Sequence, residues 1–416
     1  MPTSSPRPPR ILVSGLRSTG KSSLVSALWG DSELLPTAVR DCTQTNTLVR
    51  APRAGEADRR IVLRHLERDE AMEFASRDLS YHRLEEVVRE VSGLLGLKLE
   101  EMAPADRVRW AAATVRRLFA ERPGVHALHE PAMEHVERLE QFLAYVDSAG
   151  YAPGGAVEVP WAERSDHLMG RLRPDGRTLD AGRLLALRLV EIVRRTELWG
   201  DAPPELVDTP WIPTFHNARR ADLILREAAG ADVLVIVALP EPFELEPWVE
   251  QAYRARPELV QRTVVVFNQV DTVDLPALFG RSGFAEAWRR NVDSLARRGL
   301  DPRNFLCAAA RLPFLACRAE AEWRRREDLA GRTASAAREV GLLRRSASET
   351  SEASAKEVER LSRLERLKAV LAKVRRALEG RRGDDFAVRL AAACDPADAG
   401  VESLRARLLE LAGARP

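Results

Sequence analysis

Gly15-Leu16-Arg17-Ser18-Thr19-Gly20-Lys21-Ser22 is the stretch that decides the fold. It has the spacing GxxxxGK[ST], follows the apolar run Ile11-Leu12-Val13 and precedes an amphipathic stretch from Ser23 to Trp29. Strand, glycine-containing turn and helix start in that order make a phosphate cradle, because backbone N–H groups of the turn and of the helix N-terminus converge on an anion. The eight residues together with Ser23 form the predicted phosphate-binding set. Lys21 is placed to neutralise β and γ oxygens, and the Ser22 hydroxyl to ligate Mg2+.

Working outward, further short β-branched runs without alternation are Val233 to Val237 and Thr263 to Phe267. Leu206-Val207 before Asp208 and Phe305 to Cys307 before Ala308 are two shorter ones. Such runs belong to strands buried on both faces, and helical patterns alternate with them, so an α/β fold with a mainly parallel central sheet flanked by helices is expected. Two charged helical segments interrupt the alternation. The first, about Glu67 to Ala149, carries Leu84, Val87, Val88, Val91, Leu94 and Leu95 at helical spacing, and Gly150 to Gly182 after it reads as loop. The second, about Arg318 to Leu390, has Val358, Leu361, Leu364, Leu367, Leu371 and Val374 on one face, behind a polar linker at Ser346 to Ser354. A long antiparallel hairpin is its natural shape. The expected divisions are 1–66 and 183–317 for the sheet domain, 67–182 and 318–394 for the insertions, and 395–416 for a final helix returning to the domain.

Asp208-Thr209-Pro210 puts a carboxylate at the end of a buried strand, where it can reach Mg2+ through water; a simple turn or cap residue is the alternative. Asn268-Gln269-Val270-Asp271 follows a strand and lies close to the guanine-reading pattern NKxD. A carboxylate at Asp271 can accept from guanine N1–H and the N2 amino group, an arrangement adenine does not offer, while the Asn268 amide fixes the purine edge and the loop. An ordinary Asx turn is the alternative. These motifs make the expected unit a P-loop GTPase domain that takes GTP or GDP with Mg2+.

Composition excludes several classes. The 64 basic and 62 acidic side chains leave a net charge of +2, a balanced surface that gives no footprint for nucleic acid. Only five of the basic residues are Lys, which fits a compositional bias of the genome. Cys42, Cys307, Cys317 and Cys394 form no CxxC pair and no metal spacing, so a reduced, cytosolic setting is expected. The Pro- and Ser-rich start has no apolar run of a signal peptide, and no stretch approaches the roughly 18 apolar residues of a membrane span. Peripheral membrane contact is left open without support.

Ser18-Thr19-Gly20-Lys21-Ser22-Ser23-Leu24, Ala27-Leu28-Trp29-Gly30 and Leu35-Pro36-Thr37-Ala38-Val39-Arg40-Asp41-Cys42-Thr43 resemble the bacterial members of the dynamin superfamily over more than about thirty contiguous residues. The resemblance implies that Thr43 is the switch threonine, its hydroxyl on Mg2+ and its backbone sensing the γ-phosphate, with Thr45 and Thr47 as near alternatives and plain β propensity as the structural reading. It implies that the backbone N–H of Ala310, in Ala308-Ala309-Ala310-Arg311, meets guanine O6, and that Ser18 helps place a charge-compensating cation. Arg17 stands where the family orients the attacking water; there it acts as an internal arginine finger or is a solvent-facing or intermolecular side chain. Lys21, Thr43, Arg17 and Ser18 are thus the catalytic candidates.

Two positions depart from the pattern. Trp211 replaces the switch glycine of DxxG, whose backbone freedom serves γ-phosphate sensing. Gln269 replaces the usual Lys, losing a charge and keeping an aliphatic stem. The leading expectation is a Mg2+-dependent GTPase that cycles conformation and, by resemblance, pairs as a homodimer through its nucleotide face. A nucleotide-dependent scaffold with little turnover, whose helical arms bind a partner protein, is the second. A third, membrane contact through Trp323-Arg324-Arg325-Arg326, competes with a solvated helix face, since Glu320, Glu322, Glu327 and Asp328 adjoin it.

Overall fold

The computed structural model describes residues 7–16, 18–32, 34–35, 45–78, 93, 96, 98, 101–121, 126–163, 171–172, 178–179, 181–200, 202–210, 218–239, 243–269, 284–308, 310 and 400–413. The Leu84 to Leu95 face, the hairpin of 318–394, Arg17, Thr43, Trp211 and Asp271 lie outside them.

The apolar runs form the parallel half of a nine-stranded sheet of order β11-β10-β9-β1-β8-β2-β7-β3-β4. Its strands β1 (Arg10–Gly15), β8 (Glu205–Asp208), β9 (Val233–Ala238), β10 (Thr263–Phe267) and β11 (Phe305–Cys307) pair in parallel, as the sequence predicts. Alternation sorts their side chains. Leu12, Val207, Leu234, Ile236, Val265 and Phe267 enter a core with α5 (Ala218–Gly230), α6 (Pro247–Ala255) and α7 (Phe284–Ala296). Ile11, Val13, Val233, Val235, Val264 and Val266 enter a second core on the other face, with α1 (Lys21–Trp29) and α8 (Val401–Leu411). Both faces are covered, which is why these strands carry no polar alternation. Val401, Leu404 and Leu408 of α8 share a core with Leu24 and Leu28 of α1.

The sheet continues past β8 into strands that sequence reading did not pick out. β2 (Thr47–Arg50) runs antiparallel to β8 and parallel to β7 (Leu187–Val193), and β3 (Arg60–His65) and β4 (Ala156–Val159) complete the antiparallel edge. The loop reading of Gly150 to Gly182 is therefore corrected: that stretch contributes β4 to the main sheet, and β5 (Arg171–Leu172) and β6 (Thr178–Leu179) pair with each other. Val157 and Val159 alternate with Ala156 and Glu158, enough to seat a four-residue edge strand beside β3 despite the flanking glycines.

Charged residues are built into this half. The Glu191 carboxylate on β7 accepts from Arg50 Nε at 2.5 Å and from Arg64 Nε at 2.7 Å, and Arg50 also donates to Glu56. That hydrogen bond from Arg50, opposed by burial and helped by the Arg53 backbone N–H, holds the Glu56 carboxyl down at about 2. A carboxyl lowered in the folded state adds stability above its unfolded value near 4.5 that disappears as pH falls through about 2. In urea unfolding, the midpoint difference between the parent and Glu56→Gln is expected to be full at about pH 5 and to vanish at about pH 2; a constant difference across that window would refute the ion pair's contribution.

Between β3 and β4, α2 (Arg68–Asp78), α3 (Pro104–Glu121) and α4 (His126–Val146) form a helical unit, as expected of this segment. Its core joins Leu66, Met72, Phe74, Val108, Leu139 and Phe142 to Leu185, Ala186 and Leu223. Leu223 belongs to α5, the first helix after β8, so the unit is packed against the sheet domain.

Candidate functional site

β1 ends at Gly15 with φ 143°, and a Cβ there would stand 2.0 Å from the Val237 carbonyl oxygen of the adjacent strand. Only glycine lets the chain turn so close to β9. Gly20, with φ 83°, ends the turn as N-cap of α1, and a Cβ on it would lie 2.5 Å from Asn268 Nδ2. Between them Thr19 is fully buried and its hydroxyl donates to the Leu16 carbonyl at 2.9 Å. The Lys21 ammonium folds back over the loop, donating to the carbonyls of Gly15 and Leu16 at 2.9 Å each. The first N–H groups of α1 have no acceptor within their own helix, and they carry the positive end of its dipole.

The strand register brings Asp208 to this loop. Val13 of β1 pairs with Asp208 of β8, and Thr209 donates both its N–H and its hydroxyl to the Val13 carbonyl at 3.1 Å. Asp208 is fully buried, and its Oδ2 accepts from the Ser22 hydroxyl at 2.7 Å. Two hard oxygen donors held side by side beside an ammonium and a helix N-terminus suit a divalent cation with phosphate, so the residues present fit Mg2+ and a nucleotide. Ser23 lies half-buried in the first turn of α1, and Ser18 is exposed with φ 59°.

Asn268 ties the base-side motif to this loop. Its Nδ2 donates to the Thr19 carbonyl at 2.8 Å, and its Oδ1 accepts from the Ala310 N–H at 3.1 Å. Gln269, left-handed at φ 62°, donates from Nε2 to the Ser18 carbonyl at 2.6 Å. An amide does there what an ammonium would also do, which makes the Lys-to-Gln departure a conservative one for the loop. The Ala310 N–H, expected to meet guanine O6, is buried and donates to Asn268, so it also braces the motif. Of the alternatives to Thr43, Thr45 and Thr47 are both buried; Thr47 sits opposite Asp208 on β2, with its hydroxyl 3.4 Å from the Thr45 carbonyl.

A cavity touches the residues that flank 36–44 and 211–217, the stretches that hold Thr43 and Trp211. Thr45 and Asn46 follow residues 36–44, Pro210 precedes 211–217, and these line the cavity with Phe74 of the helical unit and Leu223 of α5. No cluster of His, Cys, Asp and Glu with metal-binding geometry occurs among the described residues, and none of their helices is long and apolar enough to cross a membrane.

No family model and no curated protein matches the chain. Two solved structures of an oligomerised bacterial dynamin pair, described as sensing and tethering membranes over long range, are similar to it at 12% identity, with TM-scores of 0.43 and 0.39. The match covers 90% of this chain and 43% of theirs, so the chain spans less than half their length. The functional reading rests on the geometry of the loop and its neighbours, not on that likeness.

Proposed function

We propose that the chain is a Mg2+-dependent guanine-nucleotide-binding protein that hydrolyses GTP to GDP and phosphate in a conformational cycle. The observation that carries the reading is the convergence of Lys21, the 2.7 Å Ser22–Asp208 hydrogen bond and the Asn268 brace on one loop at the C-terminal ends of parallel strands. A bound nucleotide draws Lys21 from the Gly15 and Leu16 carbonyls to its phosphates. Ser22 and Asp208 would hold Mg2+, which would offset charge on the transferring phosphoryl group. Asp271 reads the guanine edge, while Arg17, Ser18 and Thr43 serve the γ-phosphate. The nucleotide site connects to the helical unit through Thr45, Asn46 and Pro210, which line one cavity with Phe74. Pairing through the nucleotide face and a partner at the helical unit belong to the same proposal.

A second reading, nucleotide binding with little turnover, is favoured by Trp211 in place of the switch glycine. Fluorescent GDP displaced by GTP and by ATP, followed by phosphate release with Mg2+, separates the two. The first reading expects GTP to displace at least about 100-fold better than ATP, a floor beneath the roughly 10⁴-fold that buried polar recognition reaches, with phosphate released. Equal displacement by ATP would end the guanine assignment, and binding without release would leave the second reading.

A further inference from the structure

Residues 243–246, just before α6, line one cavity with Gly15 and Leu16 of the phosphate loop and include an acid that the mechanism above does not use. Glu246, immediately before Pro247 opens α6, is 8% exposed. Its Oε2 accepts from Trp248 Nε1, while Oε1 is buried with no hydrogen-bond partner among the described residues. A cavity of about 10 Å3, room for a single water, lies between this carboxyl and the loop, bounded by Ser14, Gly15, Leu16, Val237, Phe243 and Trp248. The other ionisable group lining it is Glu244, on the same connection; the lining residues from β1, the loop, β9 and α6 carry none. Lys21 acts on Glu246 electrostatically from α1. Burial pushes the Glu246 carboxyl up, against the opposing pull of the Trp248 hydrogen bond and Lys21.

Phosphates arriving at the loop change that balance in one direction. They bring negative charge toward a buried carboxylate and engage the ammonium that favours its ionised form. A buried charge that loses its counter-charge is far costlier than a neutral acid, so the group takes a proton from solvent. We infer that nucleotide binding at the phosphate loop is coupled to uptake of one proton by Glu246. The inference rests on the phosphate-loop reading and adds to it a proton-linked control of affinity. With the bound form holding the proton more tightly than the free form, affinity is highest at low pH and falls by up to about tenfold per pH unit as pH rises between the two titrations.

The test is calorimetric titration of the full chain with GDP and Mg2+ in pairs of buffers of different ionisation enthalpy, from about pH 5 to 8. Subtracting the result for Glu246→Gln from that of the parent removes the titration of the phosphates themselves. The expected result is an excess uptake approaching one proton in the parent, and a Glu246→Gln affinity that exceeds the parent's increasingly toward high pH. If Glu246→Gln does not fold, the same subtraction is made with Glu246→Met, which keeps the stem and removes the titrating group. Binding without the excess proton, or an equal excess in both proteins, overturns the inference while leaving the loop reading intact. Absence of GDP binding by either protein at every pH overturns the loop reading and the inference with it.

Discussion

Lys21→Ala is expected to weaken GDP and GTP binding by about 100- to 10,000-fold while the chain stays folded. Two charge-assisted hydrogen bonds to phosphate oxygens are worth about 1.5–3 kcal/mol each, and every 1.4 kcal/mol is tenfold in affinity. The same ammonium holds the Gly15 and Leu16 carbonyls, so its loss also loosens the turn. That second effect is modest. The loop keeps the Thr19 hydroxyl on the Leu16 carbonyl and the Asn268 amide on the Thr19 carbonyl, which together hold its two ends. Lys21→Met retains the aliphatic stem and removes only the charge, so it is expected to lose as much affinity as the alanine variant with less change in the urea midpoint. Equilibrium binding of fluorescent GDP, with unfolding measured on the same preparations, reads both quantities. Retention of affinity within about threefold in both variants, below 1 kcal/mol, would take the loop out of phosphate binding.

What could be read from sequence divides along a physical line. The strands β1, β8, β9, β10 and β11 are legible because both faces of each are covered, so each reads as an unbroken apolar run. The phosphate loop is legible because close contact with the Val237 carbonyl admits only glycine at position 15, and that constraint is written in the local spacing. Asn268 is recognisable as part of a motif, but its partners Thr19 and Ala310 are 249 and 42 residues away, and no local pattern encodes such pairing. Glu246 gave no signal at all: an acid before a proline at a helix start is ordinary, and only the fold turns it toward the phosphate loop.

The strands that escaped sequence reading carry a buried ion pair, Arg50 with Glu191, among their apolar residues, and Glu191→Ala tests how far that pair holds the sheet. Glu191 is 2% exposed at its side chain and Arg50 8%, so the pair is shielded from water between β2 and β7, while Arg64 is 48% exposed. Removing the carboxylate leaves Arg64 able to turn to solvent, but leaves Arg50 buried with Glu56 as its remaining acid. Breaking a buried pair costs about 3–5 kcal/mol, because the surviving charge has lost the partner that offset its desolvation. Glu191→Ala is therefore expected to cost about 3 kcal/mol, the lower end reflecting Glu56, as a lower urea midpoint at unchanged slope. Arg50→Met combined with Glu191→Leu removes both charges at similar volume and is expected to recover most of that loss. A double variant no more stable than Glu191→Ala would mean that shape, not charge, is what the position requires. The outcome bears on the site as well, since β2 carries Thr47 opposite Asp208 and directly follows the stretch that holds Thr43. If the ionic centre sets the register of β2, Glu191→Ala should weaken GDP binding by more than the double variant does, even though neither change touches the phosphate loop.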